Sequence, residues 1–168
     1  MNRMSDFEKY RETYPEFHYH SFAVSETPEE IVLRFHFEIS GLAEFHPELK
    51  LLKKSLNLKS INSATVQNLA FHIGLVELIS YWKPTCSPRV IIHCGELNED
   101  QINWWKKLYY YGLGELFYTN GIKTLPETFM QIYSVNTFFS DNPQGNADAE
   151  AYSGCMVTIG GGKDSIVT

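Results

Sequence analysis

The sequence predicts an α/β fold: an α+β N-terminal region built on a β-hairpin, then the start of a parallel-sheet domain. Three features carry this reading. An alternating strand pair lies near the N-terminus. A long apolar helix leads directly into a short β-branched run. An apolar strand near Thr168 enters a glycine-rich turn. The 168 residues, 43% hydrophobic, are enough for a real core and too apolar for a disordered chain.

The segment FHYHSFAVSETPEEIVLRFHFEI reads as two strands around a turn at residues 26–30. In the second strand Leu33, Phe35, Phe37 and Ile39 alternate with Arg34, His36 and Glu38, so one face is buried and one is wet. The first strand alternates less cleanly. GLAEFHPELKLLKKSLNLKS reads as a mixed connector, with Pro47 breaking any long element. NSATVQNLAFHIGLVELISYWKP is the strongest helix, capped by Asn62 or Ser63 and ended by Pro84. Leu69, Ile73, Val76 and Ser80 form one stripe, and Phe71, Leu75, Leu78 and Trp82 form another. The helix is therefore expected to be buried on two faces, against a sheet. Gly74 in mid-helix costs about 1 kcal/mol relative to alanine, which points to close packing.

RVIIHCG follows as a strand expected to be covered on both faces of a parallel sheet. In ELNEDQINWWKKLYYYGLG, Asn98 and Gln101 have capping-box spacing. Ile102, Trp105, Leu108 and Tyr109 supply a buried stripe, and Gly112 is the expected stop. ELFYTNGIKTLPETFMQIYSVNTFF is apolar without a clear period. SDNPQGNADAEAYSG is a loop by composition. It divides an N-terminal region, residues 1–150, from a second unit that starts at residues 155–168.

The formal net charge of −6 disfavours nucleic acid and anionic membrane as partners. Cys86, Cys94 and Cys155 are odd in number and contain no CxxC pair, so neither a disulfide framework nor a cysteine zinc site is indicated. The N-terminus lacks the apolar run of a signal peptide. The most apolar stretch, residues 69–82, is too short to span a bilayer and contains His72 and Glu77. A cytoplasmic protein with reduced thiols is expected.

CMVTI followed by GGGKDS is the segment that carries chemistry. A glycine turn after a parallel strand aims backbone N–H groups outward, and a following helix adds its own unpaired donors, which together suit phosphate. A Walker A loop fails, because Val157 stands at its first glycine and Asp164 follows the lysine. The dinucleotide fingerprint fails at Ser165. The segment instead resembles the pyrophosphate loop S-G-G-x-D-S of the ATP pyrophosphatase (PP-loop) superfamily, with Gly160 in place of the first serine. The resemblance implies that Gly160, Gly161, Gly162, Lys163, Asp164 and Ser165 bind the pyrophosphate of ATP. Gly161 and Gly162 would admit the phosphates, Lys163 would offset their charge, Asp164 would help position Mg²⁺, and Ser165 would donate at the helix start. A helix stopped in its first turn does not stabilise itself. The chain is therefore expected to be the N-terminal piece of a longer enzyme and inactive alone.

NLAFHIGLVELISYWKPTCSPRVII, QINWWKKLYYYGLGELFYTNGI and the GGGKDS turn are similar to the UDP-N-acetylmuramoyl-L-alanyl-L-glutamate epimerase family of bacterial peptidoglycan synthesis. The likeness runs from about Phe17 onward. It is most specific at Ser80-Tyr81-Trp82-Lys83 and at Trp104-Trp105 with Gly112-Leu113-Gly114-Glu115. It implies inversion of the terminal L-glutamate of a UDP-linked muramoyl dipeptide with ATP and Mg²⁺. Adenylation would neutralise the carboxylate and make the α-proton removable by a base. The sequence assigns no catalytic base and no oligomeric state.

The loop by itself also fits another PP-loop enzyme, an RNA-thiolating or amide-forming ligase, and the N-terminal region fits a recognition module. Trp82, Lys83 and His93 are the candidate substrate-side residues: Lys83 as a cation near a helix end, His93 at the end of a strand where α/β ligands bind. His72 and Glu77, five apart, are expected to be separate polar groups. His18, His20 and His36 in the hairpin suggest a metal only weakly, because two histidines at strand spacing lack a third identified ligand. Trp104, Trp105 and Tyr109 to Tyr111 are expected to pack rather than stack on a base.

Overall fold

A computed structural model of the chain describes residues 5–55 and 63–134. The predicted strand at 155–159, the GGGKDS turn, the 140–154 loop and the cap candidate Asn62 lie outside the described residues. The fold is mixed α/β, as expected: a six-stranded sheet with β-order β3-β2-β1-β5-β6 and with β4 also paired to β2. In chain order the elements are α1 (Asp6–Thr13), β1 (Glu16–Glu26), β2 (Glu30–Ile39), β3 (Ala43–Phe45), β4 (Glu48–Leu52), a 3₁₀ turn (Lys53–Ser55), α2 (Ser63–Trp82), β5 (Arg89–Ile92), α3 (Glu99–Gly112), α4 (Gly114–Thr119), α5 (Pro126–Phe129) and β6 (Gln131–Ser134).

The predicted hairpin is present, with β1 antiparallel to β2. The uneven alternation of β1 has a structural cause. Tyr19 pairs with Phe37 but Ser21 pairs with His36, so the register shifts at His20. This bulge changes the phase of the strand. Phe17 and Tyr19 before it, and Phe22 and Val24 after it, thereby all join the core.

The segment expected to be a connector is two strands. Both keep one register with β2, from Ile39↔Ala43 to Glu30↔Leu52. Pro47 interrupts them only locally, and its carbonyl accepts from Phe35 N at 3.0 Å. Proline is tolerated here because no further strand pairs on that outer side among the described residues.

Parallel pairing joins β5 to β1 on one side and to β6 on the other. The crossover into β5 is α2, which packs on β1 and β2. Its Phe71, Leu75, Leu78 and Trp82 stripe is buried, whereas Leu69 and Val76 of the second stripe are 52% and 56% exposed, so the helix is buried on one face only. β5 is likewise one-sided: Val90 and Ile92 are buried, Ile91 is half-buried and Arg89 is exposed.

In α3 the Asn98–Gln101 capping box forms with both hydrogen bonds. Trp105 and Tyr109 are buried, but Leu108 is exposed and Ile102 only half-buried. The helix ends at Gly112, as expected. The apolar segment without a period becomes α4, α5 and β6. No helix among the described residues is long and apolar enough to cross a membrane.

Candidate functional site: a histidine layer on the open sheet face

Side chains alternate across the sheet, so the residues between the core positions share its other face. On β1 these are Glu16, His18 and His20; on β2, Arg34, His36 and Glu38; on β3 and the link to β4, Glu44 and His46; after β5, His93. Five of the six histidines of the chain thus form one layer. The ring centroids of His18 and His93 are 5.2 Å apart, those of His18 and His20 5.3 Å, His20 and His36 4.7 Å, and His36 and His46 4.5 Å. The bulge at His20 keeps it beside His18 while returning Phe22 to the core.

Two kinds of polar contact organise the layer. His18 Nδ1 lies 2.9 Å from His93 Nε2, so one imidazole donates and the other accepts. Burial, followed for His93 by the neighbouring His18 and His20, holds both below the ordinary histidine value. Carboxylates engage the remaining rings: Glu38 Oε2 is 2.6 Å from His20 Nε2, and Glu44 Oε2 is 3.2 Å from His36 Nε2 and 3.6 Å from His46 Nε2. The hydrogen bond from His20 holds the Glu38 carboxyl below its usual range. The result is one layer in which the His18–His93 pair, with Glu16 Oε2 3.7 Å from His18 Nε2, adjoins three rings paired with Glu38 and Glu44. Such a surface can hydrogen-bond anionic or polar groups.

Of the expected substrate-side residues, only His93 belongs to this layer. Trp82 is fully buried and its indole donates to the Ser87 carbonyl at 2.8 Å, so it is a core residue and has no surface to offer a ligand. Lys83 is exposed just after α2, near the start of β5, whereas His93 follows the end of that strand. The four intervening strand residues separate these ends by about 13 Å. The pyrophosphate-turn candidates lie outside the described residues.

His72 and Glu77 are separate, and His72 turns to the neighbouring helix. The His72 ring stacks on Trp105 with centroids 6.0 Å apart, and burial lowers its pKa. Beside it, Leu69, Val76 and the half-exposed Trp104 line a groove of about 400 Å³ between α2 and α3. Trp105 and Tyr109 pack as expected, and the Tyr109 hydroxyl donates to the Leu75 carbonyl at 2.6 Å.

Sequence reasoning missed Glu44 and His46 because Pro47 hid their strand. The signal was there: Phe45, Leu49 and Leu51 alternate with Glu44, His46, Glu48 and Lys50.

Comparison with known proteins adds the identity of the family. The family model described as the MurL N-terminal domain matches residues 8–168, nearly the whole chain. No curated protein and no solved structure matches it. The chain belongs to the MurL N-terminal domain family, which ties it to epimerisation of a peptidoglycan precursor.

Proposed function

We propose that this domain serves an ATP- and Mg²⁺-dependent epimerase that inverts the terminal L-glutamate of UDP-MurNAc-L-Ala-L-Glu. The observation that carries the reading is the family match over residues 8–168, which includes the GGGKDS segment. The MurL family acts on a UDP-linked muramoyl peptide. In this reading ATP supplies the adenylyl group that neutralises the glutamate carboxylate, so that the adjacent C–H becomes acidic enough to exchange.

Gly160, Gly161, Gly162, Lys163, Asp164 and Ser165 are the residues proposed to hold the departing pyrophosphate, with Asp164 toward Mg²⁺. The histidine layer is proposed as the substrate-facing surface. Its neutral His18–His93 pair supports this, because a neutral imidazole can donate to a carboxylate or phosphate oxygen without the desolvation cost of a buried charge.

The test uses the full-length protein with UDP-MurNAc-L-Ala-L-Glu, ATP and Mg²⁺. The expected products are AMP, pyrophosphate and the D-Glu epimer. Asp164→Asn is expected to slow AMP formation by roughly 10²-fold, the scale of losing one electrostatic stabiliser. A wild-type protein that releases no AMP with this substrate overturns the reading.

A further inference from the structure

We propose that His36, Glu44 and His46 form a binding site for a first-row divalent transition metal, with Zn²⁺ as the expected occupant. The site is independent of the nucleotide turn and of the His18–His93 pair.

The antiparallel β2–β3 pairing creates it. Glu44 lies on β3 and His46 just after it, two residues on; because β3 and β4 keep one register with β2, His36 stands across from His46, with ring centroids 4.5 Å apart. The potential ligand atoms, one from each side chain, all lie within 4.8 Å of one another. Glu44 Oε2 is 3.2 Å from His36 Nε2 and 3.6 Å from His46 Nε2. Ligands placed tetrahedrally at the usual Zn–N and Zn–O lengths of about 2.0–2.2 Å stand about 3.3–3.6 Å from each other, so these two separations lie close to the requirement. The His36 and His46 rings are stacked, with planes 29° apart, so rotation of these side chains out of the stack is what directs both lone pairs to one ion.

The donor set selects the metal. Two imidazoles and one carboxylate suit Zn²⁺ and its neighbours and do not suit Mg²⁺ or Ca²⁺, which prefer all-oxygen shells. Three protein ligands leave one or more positions for water or for an oxygen of a bound molecule, and the exposure of Glu44 and His46 keeps that side accessible, with their side chains 61% and 64% exposed.

Local charge favours a cation as well. Glu38 faces Glu44 directly across the strand pair, and like charges so placed are destabilising. His20 engages Glu38, and the His20 ring tilts against His36 with centroids 4.7 Å apart, which helps fix the orientation of His36. A divalent ion on Glu44 removes the remaining repulsion.

The experiment uses full-length protein freed of metal with a chelator. Zn²⁺ is titrated calorimetrically, and Co²⁺ is added separately as a spectroscopic probe. Saturable binding of one Zn²⁺ at this site and visible d–d bands of a four- or five-coordinate Co²⁺ are expected. Because the side chains of His46 and Glu44 are mostly exposed, His46→Ala and Glu44→Gln should fold normally. Each is expected to weaken Zn²⁺ binding roughly tenfold or more, at least the effect of losing an outer-shell partner. Zn²⁺ affinity equal in the wild type and in both variants overturns the proposal, as does a Co²⁺ spectrum indistinguishable from that of the aqueous ion.

Discussion

His18 and His93 are 75 residues apart in sequence, yet their nitrogens approach to 2.9 Å. Parallel pairing of β1 with β5 is responsible, since it carries the chain after Ile92 to the rung beside Tyr19. Burial depresses both pKa values, and the proximity of other imidazoles adds to the effect. This has a consequence for stability. Between the ordinary histidine value of 6.5 and the lower folded-state values, the unfolded chain binds protons that the folded chain does not. Stability from these two rings is therefore complete above pH 6.5 and declines as the pH falls through the folded-state values. Thermal unfolding measured from pH 8 down to about pH 5 should show a falling Tm below about 6.5, and His93→Gln should flatten that fall. A wild-type Tm that stays level or rises on acidification would count against the neutral, half-buried pair.

Among the elements, α2 has the least freedom to change. Gly74 faces Tyr19 so closely that an added Cβ would stand 2.0 Å from the Tyr19 hydroxyl oxygen and 2.5 Å from its Cζ. Tyr19 itself is fully buried between Phe35, Phe37 and Phe71, so its ring cannot withdraw. Alanine would gain about 1 kcal/mol in helix propensity, but the overpacking penalty in a dense core is about 1–3 kcal/mol and sometimes more. With contacts this short, the penalty wins. Gly74→Ala is expected to lower the urea midpoint with an unchanged m-value, and adding Tyr19→Phe, which removes the nearest atom, should recover part of the loss. The mid-helix glycine thus carries in sequence the same constraint that the packing makes explicit.

Across the whole molecule, one side chain closes the fold. Arg11 of α1 donates to the Cys86 carbonyl after α2, to the Phe129 carbonyl at 2.9 Å and to the Thr128 carbonyl at 3.1 Å. Those acceptors lie 75 to 118 residues away in sequence. The α1 helix fully buries none of its own residues, so it is held by half-buried Phe7 against the core, by this clasp and by its Ser5–Glu8 capping box. Phe129 is itself fully buried among Trp82, Tyr110 and Phe117. Arg11→Ala leaves its acceptors short of a charged donor and should cost about 1–3 kcal/mol. Hydrogen exchange should then report α1 opening before the sheet does, whereas an unchanged unfolding free energy would mean that the clasp adds nothing.

The local pieces can be read from the residues alone: the β1–β2 hairpin from the alternation at Leu33, Phe35, Phe37 and Ile39, α2 and its glycine contact, the short β5 strand, and the Asn98–Gln101 start of α3. These are legible because propensity, capping and hydrophobic period act within a few residues. Even the phase error in β1 was visible, though not its cause. Which faces are buried depends on the packing of distant elements. Leu69, Val76 and Leu108 look like core residues in sequence and are exposed, because the sheet covers only one side of α2 and one stripe of α3. Tertiary packing also decides that Pro47 sits in an edge segment, that Trp82 is core, and that five scattered histidines share one face. Their meeting depends on strand order and register, which are set by contacts among distant residues and leave no local mark in the chain.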